Sequence, residues 1–506
     1  MDGKQGFLSL QNGSDVRGTA LALEAGARVN LTENAVNRIA ASFVSWLSKN
    51  TGKAPACLRI GLGHDSRLTA TALANAAING MAAQGAKVFY CGLSSTPAMF
   101  MGTRFPGTAF DGSIMLTASH LPKDRNGMKF FTREAGLDKQ DITSILESAP
   151  LFEYAENSLK AEDSPLMELY AKYLREKIIS GVNSGEKPLL GLRIVVDAGN
   201  GGGGFFVKDV LEPLGADTGG SQFLKPDGEF PNHAPNPENK EAMDAIRDAT
   251  LRANADLGVI FDTDVDRMSA VLPSGREVSR NAIIAMMAAI LAPKYPGSTI
   301  VTDSITSDHL TAFLERRLGL RHHCFKRGYK NVINEAVRLN GEGVTTPLAI
   351  ETSGHGALLE NFFLDDGAYM AVKLIIAAAN AARTGESLSS LIKDLKSAPY
   401  ECELRMKIKC AGFYDYGMQV LKKFEEQAKA NGLIVVQSYE GVRISFKDGW
   451  AMLRMSLHDP IMPFNAESDS QDGLTQILNQ VSGLLTGYCE LDTSPIDFIQ
   501  KKGEQL

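Results

Sequence analysis

Three times along the chain a short β-rich run closes on a polar stretch holding an aspartate, and a helix-like stretch follows. The runs are LRIGLGHDSR from Leu58, LRIVVDAGNG from Leu192 and STIVTDSITSD from Ser298. Each helix-like stretch ends at a glycine (Gly85, Gly215, Gly319), the residue that most readily adopts the left-handed backbone closing a helix. A second short run and a polar loop come next: AKVFYCGLSSTP, ADTGGSQFLKPDG and LRHHCFKRGYKN. The Asp-to-Gly spacings are 20, 18 and 16 residues, the length of a loop plus one helix in a strand–helix–strand unit. Strands alternating with helices predict α/β layers, here three related α/β domains. The last hundred residues read differently. Val442, Ile444 and Phe446 alternate with Arg443, Ser445 and Lys447 before Asp448-Gly449 and the run WAMLRMS, a hairpin signal. With a helix predicted over Tyr416–Asn431, this segment reads as a smaller α+β domain. The expected division is 1–155, 156–275, 276–396 and 397–506, with linkers near Glu153–Asp163, Val271–Arg280 and Lys393–Glu401.

Composition narrows the class without naming a chemistry. Apolar residues make up 44% and charged residues 22% of 506, which fits a soluble globular protein and excludes extended disorder. A net charge of −7 speaks against nucleic acid as a partner, while leaving room for a local anion pocket. The six cysteines (Cys57, Cys91, Cys324, Cys402, Cys410, Cys489) are scattered and never spaced C-x-x-C, which points to a reducing compartment such as the cytoplasm. MDGKQGFLSL has no signal-like apolar core. The longest apolar run, Ala282 to Pro293, is too short for a bilayer and predicts a buried helix, so no membrane role is expected.

Four polar loops carry candidate chemistry. FDTDVDR (Phe261–Arg267) follows the apolar run Leu257–Ile260. If extended, Asp262, Asp264 and Asp266 face one side, and three converging carboxylates call for a hard cation, Mg²⁺ or Ca²⁺. An EF-hand is excluded, because Arg267 and Pro273 stand where that loop needs Gly and Glu; a solvated acidic turn is the plain alternative. TASHLPKDRNGMKFF (Thr117–Phe131) offers Ser119 beside His120, with Pro122 and Asn126-Gly127 marking a tight loop and Lys129 just beyond. ETSGHGALLEN sets Glu351, Ser353 and His355 two apart, groups suited to sugar hydroxyls. RMSLHDP offers Arg454, Ser456 and His458 as a phosphate grip, since a guanidinium fork matches phosphate oxygens. Each loop alone reads equally as turn chemistry. Their separations from Ser119 through Asp262 and Glu351 to Arg454, 143, 89 and 103 residues, put about one in each domain, and ligands of α/β sheets gather outside strand carboxyl ends.

In this order the loops resemble those of the α-D-phosphohexomutase superfamily, and GSDVRG around Arg17, GHDSR around Arg67, PDGEFPNHAPNPE and RGYKNV around Lys330 resemble it too. The resemblance implies an α/β, four-domain, heart-shaped architecture with three similar domains and a smaller α+β one. It implies a mutase that interconverts hexose 1-phosphate and hexose 6-phosphate through a phosphoserine and a bisphosphate intermediate. In that scheme Ser119 carries the phosphoryl group and, with Asp262, Asp264 and Asp266, binds Mg²⁺. Glu351 and Ser353 hold sugar hydroxyls, and Arg454, Ser456 and His458 hold the distal phosphate. Lys129, His120 and His355 are candidate proton carriers, and Arg17, Arg67, Arg267 and Lys330 balance anionic charge. Hexose 1,6-bisphosphate is the expected activator, sugar phosphates are the expected small-molecule partners, and a monomer or homodimer is the expected assembly.

The phosphate loop departs from the family's R-x-S-x-T-E-P pattern: His458 replaces Thr, Asp459 replaces Glu, and Pro463 stands where a further Arg usually falls. Thinner in hydroxyl and guanidinium groups, such a clamp leaves open an enzyme that mainly releases hexose 1,6-bisphosphate, and a non-catalytic sugar-phosphate sensor. D-T-D-V after an apolar strand also fits a haloacid-dehalogenase-type phosphatase with Asp262 as nucleophile, Asp264 as acid/base and Asp365-Asp366 as later acids. That reading leaves the Ser119 and Arg454 loops without a role.

Overall fold

The computed structural model describes residues 3–24, 26–156, 161–456 and 459–496. It separates into two compact units, one of residues 1–291 with 348–391, the other of 292–347 with 392–506. In the first unit a seven-stranded mixed sheet runs in the order Gln11–Asn12, Asp15–Thr19, Arg125–Thr132, Gly112–Leu116, Arg59–His64, Lys87–Leu93, Glu162–Asp163. The strand Gly112–Leu116 is buried along its whole length. The helix Glu33–Thr51 covers the sheet, with Ile39, Phe43 and Val44 packed in one core with Ile60, Ile114 and Phe130. Thr32 caps that helix by accepting from the Ala35 N–H, and Gly52 closes it at φ +69°. A four-stranded sheet, Glu277–Val278, Met268–Val271, Leu257–Phe261, Ile194–Asp197, follows. Three short antiparallel strands, Leu348–Ile350, Gly356–Leu358 and Leu364–Asp365, complete the unit.

The second unit pairs Thr299–Thr302 with Arg321–Cys324 in parallel. Its other sheet is antiparallel, in the order Tyr400–Lys407, Ile461–Ser468, Gly449–Arg454, Gly441–Phe446, Ile434–Gln437, against the helices Phe413–Ala430 and Gln471–Leu484. This is the α+β segment expected from the alternating pattern. Among the described residues no helix is long and apolar enough to cross a membrane.

Gly85, Gly215 and Gly319 all adopt the left-handed backbone that the pattern requires, at φ +87°, +89° and +65°. The second repeat nevertheless breaks from the other two. Its helix is a succession of 3₁₀ and π turns over 202–214, and its second strand shrinks to isolated bridges at Asp217 and Gln222. The glycines of Gly201–Gly204 are held bare by close neighbours: a Cβ on Gly201 would lie 2.6 Å from the Thr263 carbonyl, and one on Gly204 2.4 Å from that of Leu224.

Further expectations shift. In the C-terminal hairpin Phe446 pairs with Gly449, so the turn is Lys447-Asp448; Gly449 belongs to the strand, where a Cβ would sit 2.0 Å from the Glu467 carbonyl. Arg443, one of the polar positions of the alternation, is buried: its guanidinium lies 3.7 Å over the Trp450 ring and donates to Asp308 and the Ser304 carbonyl. At the stretch Val271–Arg280, Met268–Val271 turns back onto Glu277–Val278 as an antiparallel pair. Glu162–Asp163, at the end of another expected linker, adds an edge strand to Phe89–Tyr90. Asn281–Leu291 is the buried helix expected there.

Candidate active site

The three aspartates converge, though not as an extended segment. Phe261 ends its strand, and 262–267 form a turn with Val265 at φ +67° that leads into Met268–Val271. The turn gathers one carboxylate oxygen each of Asp262, Asp264 and Asp266 within 4.8 Å of one another. All three residues are fully buried. Arg267 Nε lies 3.1 Å from Asp262, Lys129 is 3.2 Å from Asp264, and Lys129 also pairs with Asp266. Burial, then the Asp266 and Asp264 charges, raise the Asp262 pKa far above the usual carboxylate range. On Asp266 the upward pull of burial is overcome by Lys129, and its pKa falls. One oxygen of Asp264 and one of Asp266 are buried with no hydrogen-bond partner. Buried oxygens of this kind demand a partner, and an all-oxygen donor set of three carboxylates fits a hard divalent cation.

Ser119 reaches this cluster from the other sheet. The strand Gly112–Leu116 ends beneath it, Thr117 Oγ1 accepts its N–H at 2.9 Å, and the backbone turns at φ +49°. Its hydroxyl donates to Asp262 at 2.9 Å and lies 3.4 Å from both Arg267 and His120 Nδ1. Arg67 is buried beneath the loop and donates to the carbonyls of Ser119, Leu121, Pro122 and Arg125, with Asp65 3.2 Å from its Nε. Arg17 donates to the Thr117 carbonyl and to Asp15. Arg67 and Arg17 thus brace the loop's backbone. Asn126-Gly127, expected as a turn, lie inside the strand Arg125–Thr132, where a Cβ on Gly127 would meet the Val16 carbonyl at 2.3 Å. The loop itself is 117–124, and Lys129 reaches the acids from the strand.

The Glu351 loop is also a turn. The Glu351 N–H donates to the His355 carbonyl at 2.9 Å, and Gly354 stands at φ +91°. His355 Nδ1 is 2.5 Å from Asp365 and 3.9 Å from Asp266; although burial works against protonation, these acids raise its pKa to about 9. Ser353 Oγ is buried without a hydrogen-bond partner. His120 is exposed at its edge yet ringed by protein; partial desolvation, then the charges of Arg267, His355 and Arg17, lower its pKa.

Arg454, Ser456 and Lys330 belong to the second unit. Arg454 ends its strand and is buried, and Ser456 Oγ accepts the Asp459 N–H at 3.1 Å. Lys330 is in the first turn of the helix Tyr329–Gly341. His458 lies outside the described residues.

Models of the phosphoglucomutase/phosphomannomutase α/β/α domains I, II and III match residues 9–151, 168–275 and 279–398 in order. The chain belongs to that family. With it comes the phosphohexomutase class of isomerases, part of the α-D-phosphohexomutase superfamily expected from the motifs. A phosphomannomutase/phosphoglucomutase of Pseudomonas putida is 27% identical over 420 residues, 83% of this chain and 85% of the relative. A phosphoglucomutase of Neisseria gonorrhoeae is 27% identical over 84% of this chain and 88% of its own. The crystal structure of a phosphoglucomutase/phosphomannomutase family protein from Burkholderia thailandensis superposes with a TM-score of 0.78 at 26% identity, covering 96% and 98% of the two chains.

Sequence reasoning left several residues of this candidate site without the partners they have here. Thr96 donates to Asp264 at 2.5 Å, and Asp365 partners His355. Asn236 and Glu238 meet Arg267 at 3.3 and 3.5 Å. Thr96 carried a local signal, because Ser95-Thr96-Pro97 is a helix start, and Asn236 and Glu238 lie in the motif PDGEFPNHAPNPE, which the resemblance singled out without giving them a partner.

Proposed function

We propose that this protein interconverts hexose 1-phosphates and hexose 6-phosphates, with Ser119 as the phosphoryl carrier. The observation that carries the reading is the 2.9 Å bond from the Ser119 hydroxyl to Asp262, 143 residues away. Asp262, Asp264 and Asp266 would hold Mg²⁺, which supplies charge neutralisation at the phosphoryl group. Arg267 sits beside both Ser119 Oγ and Asp262 and offsets negative charge there. Arg67 acts through the loop backbone and is a positioning residue, as is Arg17. Lys129 and His355 are the proton carriers nearest the acids; Lys129 is held between Asp266 and Asp264, and His355 between Asp365 and Asp266. Glu351 and Ser353 are assigned to sugar hydroxyls, and Arg454, Ser456 and His458 to the second phosphate of the bisphosphate intermediate; Lys330 balances anionic charge, and His120 is a further candidate proton carrier. Hexose 1,6-bisphosphate is the activator that reloads Ser119. The six free thiols agree with a reducing, cytoplasm-like compartment.

Intact-protein mass spectrometry with peptide mapping, before and after incubation with a panel of hexose 1-phosphates, tests this. Phosphate on Ser119 that is lost to substrate is the expected result. A label on Asp262 indicates the phosphatase route, and no modification or turnover indicates a sensor; either overturns the proposal.

A further inference from the structure

The second unit holds two arginines whose shared partner is a glutamate. Gly441 pairs with Arg454 across the sheet, so closely that a Cβ there would lie 2.3 Å from the Leu453 carbonyl and 2.9 Å from Arg454 Cα. This contact sets Glu440 beside Arg454. Next to it, Tyr439 donates to the Cys324 carbonyl at 2.5 Å and stacks on Phe325 with ring centroids 5.7 Å apart, which docks the hairpin end on the segment that carries Arg327. Glu440 then bridges the two: one oxygen accepts the backbone N–H of Arg327 at 3.0 Å, and the other lies 3.5 Å from the Arg454 guanidinium. Arg454 is only 8% exposed, and its Nε is buried with no hydrogen-bond partner. Asp303, fully buried, stands 3.9 Å from Arg327 Nε. Burial first, then the Arg327 charge, lower the Arg454 pKa, so the two cations feel one another.

We propose that Arg327 and Arg454 together form the anion site for a phosphate monoester, and that Glu440 is its built-in competitor, a carboxylate the phosphate displaces. This rests on the reading of the Arg454–Ser456 turn as a phosphate holder and identifies what completes it. Carboxylate and phosphate present similar oxygens to a guanidinium fork, so the acid is a natural stand-in for the ligand. The site explains how a loop with Pro463 in place of an arginine keeps a second guanidinium: Arg327 supplies it from another part of the chain. Glu440 and Asp303 neutralise the cations when no phosphate is bound, which limits the affinity and makes it tunable through residue 440.

The test is calorimetric titration of inorganic phosphate into full-length wild type, Arg327→Ala, Arg327→Gln, Glu440→Gln, Glu440→Ala and Arg454→Ala, each checked for its thermal melt. KM for glucose 1-phosphate is measured in parallel. Losing one charged hydrogen-bond donor to phosphate should weaken binding about tenfold or more in both Arg327 variants. Both Glu440 variants should tighten phosphate binding, by about threefold or more, and lower KM, since a competing carboxylate is gone. Unchanged or weaker binding in the Glu440 variants, or unchanged binding in the Arg327 variants, overturns the proposal. If Arg454→Ala alone weakens binding, the phosphate-loop assignment stands and this inference fails. If Arg454→Ala also binds like wild type, both fail.

Discussion

Thr96 holds Asp264 by two bonds across 168 residues of sequence: its N–H donates to the Asp264 carbonyl at 2.9 Å, and its hydroxyl donates to the carboxylate at 2.5 Å. Thr96 opens the helix Thr96–Arg104, which Ser95 caps, so a helix start of one sheet's layer is bolted to the acidic turn of the other. The carboxylate is thereby oriented before any cation arrives. Groups that orient a metal's ligands are typically worth about 10- to 100-fold in affinity. Thr96→Val keeps the shape and removes the hydroxyl, and should raise the free Mg²⁺ needed for half-maximal activity by about tenfold or more. Thr96→Ser should restore it. Equal Mg²⁺ curves for wild type and Thr96→Val would refute this role.

With Arg267, Lys129 makes the acidic cluster tolerable. It pairs with Asp266, lies 3.2 Å from Asp264, and is itself buried. Removing one partner of a buried ion pair costs about 3–5 kcal/mol, because the other charge stays buried and uncompensated. Lys129→Met should therefore melt at a lower temperature than wild type, and added Mg²⁺ should recover more of the loss than it adds to wild type. Turnover should fall by about two orders of magnitude or more if Lys129 carries a proton. A variant with wild-type melting in the absence of Mg²⁺ would contradict the pairing.

Asp366 serves structure beside the site. Fully buried, it caps the helix Gly367–Thr384 through the Tyr369 N–H, accepts from the Tyr170 hydroxyl at 2.6 Å, and receives Asn361 at 3.0 Å. Burial pushes its pKa to about 6 despite these donors. A carboxyl raised in the folded state contributes stability below its unfolded value near 3.8, and that contribution is lost as pH rises through about 6. Between pH 5 and pH 8 wild type should lose stability relative to Asp366→Asn, read as denaturation midpoints at each pH. Asp366→Ala, which removes the cap and strands the Tyr170 hydroxyl, should cost about 1–3 kcal/mol.

His233 donates from both ring nitrogens, to Asp197 at 3.0 Å and to the Ala234 carbonyl at 3.0 Å, an arrangement that suits the imidazolium. Burial opposes the charge, but Asp197 and, farther off, Glu241 outweigh it and raise the pKa. The pair's contribution is complete below the ordinary histidine pKa of about 6.5 and fades as pH rises through the higher folded value. The stability gap between wild type and His233→Ala should be wider at pH 6 than at pH 9. A constant gap would show that the ring acts by packing alone.

The chain's own order of residues determined the layer type, the helix-closing glycines at 85, 215 and 319, the C-terminal hairpin and the four chemical loops, because hydrophobic periodicity and turn chemistry are local. The same locality misled where backbone contact with a distant strand chose the conformation: Gly449 and Asn126-Gly127 read as turns yet lie within strands, since neighbouring carbonyls leave no room for a side chain at the two glycines. Asp262, Asp264 and Asp266 were legible as a cluster, but it is a turn around Val265, and not strand alternation, that gathers them. Only the tertiary structure decided that Thr96 holds Asp264, that Arg67 spends its guanidinium on the Ser119 loop, and that Asp365 charges His355. Those pairings join residues 10 to 168 apart whose types are common on any surface. Burial in a shared low-dielectric core is what turns them into specific, strong partners.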